Sequence, residues 1–305
     1  MTSPPGAVRA TDVLTDVPEA RPERSIAHRF RRNPLAMVGL AGTVVFALLG
    51  IIGVAIQLIP GMDDLYAGQD LMSSFVPILG ADHPLGTDNL GRDMLMRLIA
   101  AIGTSLLVGV AVTALSLAVG LGLGVIAGYE GRYSAPIIGG LIDVALAFPV
   151  LLLAVVLAGA VGPGLVPVVI AVALTNWAGL ARIVRTEVKS LRRREFMDAA
   201  RSLGHPTPRI VMRHVVPNLI PTLLVMTAYF MAIAVVVEAG FSFLALGAQP
   251  PTPSLGQMIA DGRNFLSIST WPAMAAGITL ALVVLSLNTL GDGLRDVLDP
   301  RLAER

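Results

Sequence analysis

The sequence contains no cysteine and only one lysine, Lys189. Without cysteine the chain forms no disulfide, and it has neither a thiol nucleophile nor cysteine ligands for zinc. The lysine is not preceded by a glycine-rich G-x-x-x-x-G-K-[ST] loop, so the usual cradle for nucleotide phosphates is missing. If the function of this chain consumes ATP, the hydrolysis is expected on another polypeptide.

Histidine is also scarce, and none of the histidines lies inside a long apolar run. They are His28, His83, His205 and His214. The H-E-x-x-H pattern of zinc proteases and the G-x-S-x-G pattern of serine hydrolases are both absent. We therefore expect no catalytic residue, no metal site and no enzymatic activity in this chain.

Charge of either sign is sparse. Charged residues make up 14% of the sequence, whereas a typical soluble domain has about a quarter. Hydrophobic residues make up 54%, the mean hydropathy is +0.75, and a net charge of +1 gives no reason to expect a nucleic-acid partner. These values indicate an integral membrane protein. The first 34 residues are hydrophilic, so we expect no cleaved signal and a retained first apolar segment.

Six apolar runs are long enough to cross a bilayer as helices, which takes about 20 residues each. Two of them contain a single acid, Asp143 in the third run and Glu238 in the fifth. The third and fourth runs are separated only by Gly162-Pro163-Gly164. The predicted spans are 35–60, 98–128, 135–161, 163–181, 219–247 and 273–291.

Six spans place both ends of the chain on the same side of the membrane. If that side is the cytoplasm, 19 of the 22 lysine and arginine residues lie in cytoplasmic segments, as the positive-inside rule requires. The predicted organisation is a cytoplasmic tail (1–34), a first span (35–60), an extracytoplasmic loop (61–97), a core of five spans (98–291) that includes a cytoplasmic segment (182–218), and a cytoplasmic tail (292–305).

The cytoplasmic segment has the pattern of a helix, a sharp break and a second helix. Gly204 stands at a natural helix end, and Pro206 prevents continuation. Thr207 is placed to cap a second helix with Pro208 at its first position. The charge of the segment has a simpler explanation, because basic residues hold a loop on the cytoplasmic side. That explanation does not cover the spacing of its apolar residues. The first helix is predicted to have one apolar stripe, formed by Phe196, Ala199, Ala200 and Leu203.

The same residues resemble the cytoplasmic motif of type I ABC importer permeases. That motif reads E-A-A, three residues, G, nine residues, I-x-L-P. Its spacing is matched by Asp198-Ala199-Ala200, Gly204, His214, Val216 and Pro217, with Asp for Glu, His for Ile and Val for Leu. In the family the segment forms a coupling helix that sits in a groove of the ATPase subunit. The resemblance assigns ATPase coupling to Phe196, Asp198, Ala199, Ala200, Leu203, Gly204, His205 and Pro206.

Two further stretches resemble the dipeptide/oligopeptide/nickel group of these importers, in its C-type permease. They are HPLGTDNLGRDMLMRLIAAIGTSLLVG (83–109) and EAGFSFLALGAQPPTPSLGQMI (238–259). In the first, Asp88 or Asn89 is placed to cap a helix beginning near Gly91. The resemblance implies an all-α, six-span permease fold in the cell (inner) membrane. It also implies a second homologous permease, two P-loop ATPase subunits that hold ATP and Mg²⁺, and an extracytoplasmic binding protein. It implies no cofactor in this chain, and it leaves dipeptides, longer peptides, nickel chelates and haem open as cargo.

Asp143 and Glu238 are the two acids within predicted spans, and each has two readings. A carboxylate inside a membrane is costly and is a candidate for a translocation path or gate. Alternatively, each acid is a packing contact, paired to a partner subunit or lying near an interface. The residues alone do not decide between these readings.

Two other functions compete with an importer subunit, and a further alternative concerns the cytoplasmic segment alone. A secondary transporter driven by an ion gradient needs ionisable groups inside spans and internal repeats, and only Asp143 and Glu238 meet the first condition. A structural or signalling membrane protein leaves the D-A-A…G spacing unexplained. A basic amphipathic loop against lipid headgroups explains the charge of the cytoplasmic segment but not its break.

Overall fold

A computed structural model describes residues 26–80, 83–129 and 133–298, which form helices joined by loops. The predicted all-α class is confirmed. Most of the predicted N-terminal tail and the end of the C-terminal tail lie outside the described residues. The helices are α1 (Ile26–Arg32), α2 (Pro34–Leu58), α3 (Asp64–Ala67), α4 (Met94–Tyr129), α5 (Ser134–Ala147), α6 (Val150–Val161), α7 (Leu165–Leu191), α8 (Glu195–Ser202), α9 (Thr207–Ile210), α10 (Val216–Phe243), α11 (Leu255–Arg263) and α12 (Trp271–Leu298).

Among the described residues, five helical stretches are long and apolar enough to span a membrane. They are α2, α4, α7, the continuous stretch Thr207–Phe243 that joins α9 to α10 through a π-helical turn, and α12. At 1.5 Å per residue, each exceeds the hydrocarbon thickness of about 30 Å. The predicted spans contain the apolar centres of these helices, and the structure extends α7 to Leu191 and α12 to Leu298.

The remaining predicted span is broken into α5 and α6, which meet at an angle of 80°. Pro149 causes the break, because proline lacks an N–H donor and disfavours a helical conformation in the residue before it. Phe148 accordingly has an extended backbone with φ −80° and ψ 123°. The two halves have 14 and 12 residues, about 21 and 18 Å, so neither crosses a bilayer alone.

The two halves of the broken pair nevertheless belong to core clusters at different heights along α4. Ile138 and Ile142 of α5 pack with Ala127, near the end of α4. Ala154 of α6 packs with Val108, 19 residues earlier on α4, which is about 28 Å along the helix axis. Counted as one bent span, the pair brings the candidate spans among the described residues to six.

Helices α4 and α7 lie parallel and close together because α4 has glycine at every fourth position along this contact. A Cβ atom at Gly124 would lie 2.7 Å from the Val184 Cβ, so only glycine fits at this separation. Gly122, which lies between two of these positions in sequence, faces open space. The facing pairs are Gly120 with Leu180, Gly124 with Val184, and Gly128 with Val188.

At the other end of α4, the predicted helix start is wrong by three residues. The helix begins at Met94, and Asp93 caps it by accepting a 2.9 Å hydrogen bond from the Met96 amide. Asp88, one of the predicted caps, instead accepts from the amides of Leu90 and Arg92 within the preceding turn. Asp88 therefore stabilises the turn before the helix, and Asp93 is the residue that caps it.

Candidate functional site

The coupling candidates lie together at the end of the bundle formed by the last turns of α4 and α7. Helix α8 is attached there by Met197, which is 0% exposed, and by Ala200. Both pack in a core cluster with Leu191, Ile210 and Val215. Met197 is a residue that the sequence reasoning missed, although its i, i+3 spacing to Ala200 marks a second apolar face.

The apolar stripe predicted for α8 is divided between two faces. Ala200 lies on the face that packs on the chain's own core, so the four residues do not form the one apolar stripe that their spacing predicts. Phe196, Ala199 and Leu203 lie instead on a neighbouring, exposed side, and Leu203 is 75% exposed. Helix α8 has eight residues and lies on the surface of the bundle. It therefore presents one apolar row to the core and another to its surroundings.

The predicted break follows α8. Gly204 has φ +72°, a left-handed conformation that favours glycine, although a Cβ there would meet no atom within 4 Å. Backbone geometry, not space, therefore requires this glycine. His205 and Pro206 are exposed. Pro206 occupies the cap position of α9, so the predicted capping role of Thr207 is wrong; its side chain makes no capping hydrogen bond.

The polar residues of this segment form surface contacts. Asp198 accepts a 3.0 Å hydrogen bond from Arg201, one turn later on α8. The ring centroid of Phe196 lies 6.4 Å from that of His214, at the motif's Ile position. These contacts fix the direction in which α8 presents its exposed side chains.

Asp143 and Glu238, the two acids in the spans, do not come together. Asp143 on α5 pairs with Arg182 on α7, with 2.8 Å between Oδ1 and Nη2. Both side chains are largely exposed, at 73% and 57%. Arg182 is 17 residues beyond Leu165, about 26 Å along α7, which places the pair near the α8 end of the bundle.

Glu238 lies in the opposite half of the bundle and is 0% exposed. Its Oε1 accepts a 2.7 Å hydrogen bond from the Ser242 hydroxyl, and its Oε2 accepts a 3.1 Å bond from the Ser105 hydroxyl. These hydroxyls belong to α10 and α4. In this conformation the carboxylate reaches no surface of the chain, and it is held by this chain's own side chains.

A buried charge cluster at the Met94 end of α4 was not foreseen. Arg92 and Arg97 share Asp88, with Nε–Oδ2 2.7 Å for Arg92 and Nη1–Oδ2 3.4 Å for Arg97. Both arginines lie 3.9 Å from Asp261 on α11. Burial raises the pKa of the Asp261 carboxyl, and the two arginines act in the opposite direction. The signal for this cluster was an arginine in the first turn of an otherwise apolar helix.

The described residues offer no metal site. Within residues 26–80, 83–129 and 133–298, no three histidine, aspartate or glutamate side chains are arranged to hold an ion.

Comparison with known proteins gives the family. Residues 120–304 match the family described as "Binding-protein-dependent transport system inner membrane component". Residues 23–76 match the "N-terminal TM domain of oligopeptide transport permease C". The first match covers more than half of the chain.

Curated relatives match over most of their length. The dipeptide transport system permease protein DppC of Alkalihalophilus pseudofirmus is 35% identical over 302 residues, covering 99% of this chain and 96% of the relative. The di/tripeptide permease DppC of Pseudomonas aeruginosa is 41% identical over 218 residues, 72% of each chain. The oligopeptide permease OppC of Bacillus subtilis is 34% identical over 274 residues, covering 90% of this chain and 88% of the relative.

A solved structure supports the fold. The inward-facing MetNI methionine ABC transporter aligns with a TM-score of 0.55 and 18% identity, covering 68% of this chain and 98% of the matched chain. At that identity the similarity concerns the fold alone. The chain belongs to the family of binding-protein-dependent transport system inner membrane components, and it is thus a multi-pass permease subunit of an ABC importer and not one of its ATPases.

Proposed function

We propose that this chain forms half of the translocation pore of an ATP-driven importer of short peptides. A second, homologous permease supplies the other half, and two P-loop ATPase subunits hold ATP and Mg²⁺. An extracytoplasmic binding protein delivers the cargo, in keeping with the family's description. The contribution of this chain is mechanical, and it binds no cofactor of its own.

The peptide cargo is proposed from the names of the relatives. Dipeptides, di- and tripeptides and oligopeptides are named for the three permeases compared above. Short peptides are the cargo common to these names, whereas nickel chelates and haem appear in none of the three. Stimulation of ATP hydrolysis by each candidate cargo, measured on the purified complex with its binding protein, tests this choice.

We place both termini and α8 on the cytoplasmic side. Six crossings require both termini to lie on one side, and the positive-inside rule favours the side with α8 as the cytoplasm. The reverse orientation would put the nine lysine and arginine residues of 182–218 outside. The loop of residues 61–93 and helix α11 then face the binding protein.

The observation that carries the coupling role is the two-sided character of α8. Met197 fixes the helix to the bundle, while Ala199, Phe196 (39% exposed) and Leu203 (75% exposed) keep apolar surface that their own chain leaves open. An apolar row exposed in the cytoplasm marks a site of contact with another protein. The proposed partner surface is a groove on the ATPase. Closure of the two ATPases on ATP then moves α8 and rocks the spans from inward-open to outward-open.

We assign the exposed face of α7 to the border of the translocation path. The Asp143–Arg182 pair lies on this face, and an ion pair exposed to hydrocarbon would be costly. Lipid is therefore a poor neighbour for it, and a water-filled path lined with the partner permease is a suitable one. Thr175, Arg182 and Thr186, with Gly179 between the first two, follow one another along this face at every third or fourth position.

Cross-linking tests the coupling role directly. Since the chain has no cysteine, a Leu203→Cys variant carries a single thiol, to which a benzophenone maleimide is attached in a complex whose other subunits are cysteine-free. Illumination should join the permease to the ATPase. The control is Leu79→Cys in the outer loop, where Leu79 is 86% exposed, and it should give no ATPase adduct. Adducts of Leu203→Cys with lipid alone would reject the docking role.

Two substitutions test the same role by activity. Gly204→Leu places a side chain where the backbone has positive φ, and Asp198→Lys reverses the charge beside Arg201. Each should lower the amount of peptide imported per ATP hydrolysed while the permease stays in the membrane. Normal coupling in both variants would contradict the assignment.

A further inference from the structure

Tyr129, the last residue of α4, lies beneath two arginines. It is buried, at 8% exposed, in the same core cluster as Met197. The guanidinium carbons of Arg192 and Arg201 both lie 5.8 Å from the centroid of its ring. This separation is within the range of a cation–π contact, in which the electron-rich face of the ring attracts the cation.

The two arginines come from different helices. Arg192 follows the last residue of α7, and Arg201 is in the last turn of α8. Two cations on one ring repel each other, but Asp198 accepts a 3.0 Å hydrogen bond from Arg201, and the Arg192 carbonyl accepts a 3.4 Å bond from it. Tyr129 is thus the point where α4, the end of α7 and α8 meet through polar contacts.

The contact complements the apolar attachment of α8. Met197 holds the middle of α8 against the core and resists its withdrawal. Arg201 holds its last turn to the end of α4. The polar contact of Arg201 in the last turn adds to the apolar contacts of Met197 and Ala200, and together they restrict rotation of α8.

Helix α4 is suited to carry a displacement across the membrane. It has 36 residues, about 54 Å, and packs on α7 through its glycines along its inner half. At its other end Met94 packs against Leu255 and Met258 of α11. A movement of its last residue therefore reaches the extracytoplasmic helix through one continuous element.

We infer that Tyr129 is a positioning residue for ATP-driven transport, whose ring links the coupling helix α8 to α4 through Arg201 and Arg192. The inference rests on the proposed coupling role of α8. Tyr129 itself touches neither nucleotide nor cargo. Its part is to make α4 follow α8 when the ATPases close.

The test compares two substitutions at Tyr129 in the complete complex, reconstituted in lipid vesicles with its binding protein and a labelled dipeptide. Tyr129→Phe keeps the ring and should retain the wild-type ratio of peptide imported to ATP hydrolysed. Tyr129→Leu keeps an apolar side chain but removes the ring face, and this ratio should fall several-fold. Basal ATP hydrolysis without binding protein reports that both complexes are assembled.

A second pair of variants covers the case in which Tyr129→Leu fails to assemble. Arg201→Lys retains a cation for the ring and should keep most of the coupling, whereas Arg201→Gln should lower the ratio as Tyr129→Leu does. Wild-type coupling in Tyr129→Leu, or equal loss in Tyr129→Phe, would overturn the inference, as would normal coupling in Arg201→Gln when Tyr129→Leu does not assemble.

Cross-linking separates this inference from the proposed function beneath it. Leu203→Cys should still join the ATPase when combined with Tyr129→Leu, because the exposed face of α8 is unchanged. An ATPase adduct together with normal coupling in Tyr129→Leu refutes only the role of the ring. Absence of the adduct in the otherwise wild-type chain refutes the docking of α8.

Discussion

The hydroxyl of Ser105 on α4 donates a 3.1 Å hydrogen bond to the carboxylate of Glu238 on α10. The bond crosses a helix contact in which both residues are almost completely buried. The other carboxylate oxygen accepts from Ser242, whose own oxygen accepts from the Ala248 amide at 3.0 Å. The acid thereby joins α4 to the turn that follows α10.

This arrangement predicts different results for two substitutions of Glu238. Glu238→Gln preserves the size of the side chain and leaves a hydrogen-bonding group opposite each hydroxyl, so the loss of stability should be small. Glu238→Leu leaves the hydroxyls of Ser105 and Ser242 without their acceptor, at about 1–3 kcal/mol for each unsatisfied group. Thermal aggregation of the detergent-solubilised complex measures both. Equal midpoints for the two variants would show that the hydrogen bonds do not stabilise this contact.

The close contact of α4 with α7 offers a matched pair of glycines. Gly124→Ala places a Cβ 2.7 Å from the Val184 Cβ and 2.9 Å from the Ala181 carbonyl oxygen, so the helices must separate. Gly122→Ala, half a turn away, meets no atom within 4 Å. We expect Gly124→Ala to lose about 1–3 kcal/mol from overpacking, and Gly122→Ala to be neutral. The yield of folded complex and its midpoint of thermal aggregation check this, and similar loss in both variants contradicts the packing.

Met197 and Phe196 are adjacent in sequence, but their truncation should affect different properties. Met197→Ala should affect proteolysis of α8, and Phe196→Ala should affect the coupling of uptake to ATP hydrolysis. Met197→Ala removes a fully buried side chain, at about 2–5 kcal/mol, and should loosen α8 so that trypsin cleaves sooner after Arg194 or Arg201. Phe196→Ala removes an exposed side chain and should leave trypsin cleavage unchanged while lowering uptake per ATP. Limited proteolysis and transport are measured on the same preparations. Faster cleavage of Phe196→Ala would place that residue in the core.

Much of the fold was predictable from hydropathy, because the bilayer demands long apolar helices whatever their packing. The break after α8 was also predictable, since Gly204 and Pro206 act through their own backbone geometry. The 80° bend at Pro149 was not predictable, because the apolar run 135–161 continues through the proline. Hydropathy carries no information about the direction of a helix axis. Proline permits a bend, but the surrounding contacts of α5 and α6 determine its size.

The site was harder to predict than the fold because several of its residues have more than one possible partner. The apolar positions of α8 were assigned to one stripe, yet Ala200 packs inward and Leu203 points outward. Spacing alone does not distinguish a helix that packs between two partners from a helix that packs against a single partner. Likewise Glu238 and Asp143 look alike in sequence, but one is enclosed by hydroxyls and the other is paired on an exposed face.

The Asp143–Arg182 pair gives a prediction that separates a path from a packing contact. Because both side chains are more than half exposed, the pair should contribute less than about 1 kcal/mol to stability. Asp143→Asn and Arg182→Gln should therefore leave the thermal midpoint of the complex unchanged. If the pair borders the path, each leaves one uncompensated charge there, and each should lower dipeptide uptake. The exchanged variant, Asp143→Arg with Arg182→Asp, restores neutrality and should recover uptake. Unchanged uptake in both single variants, or lowered stability without a transport defect, would return the pair to a structural role.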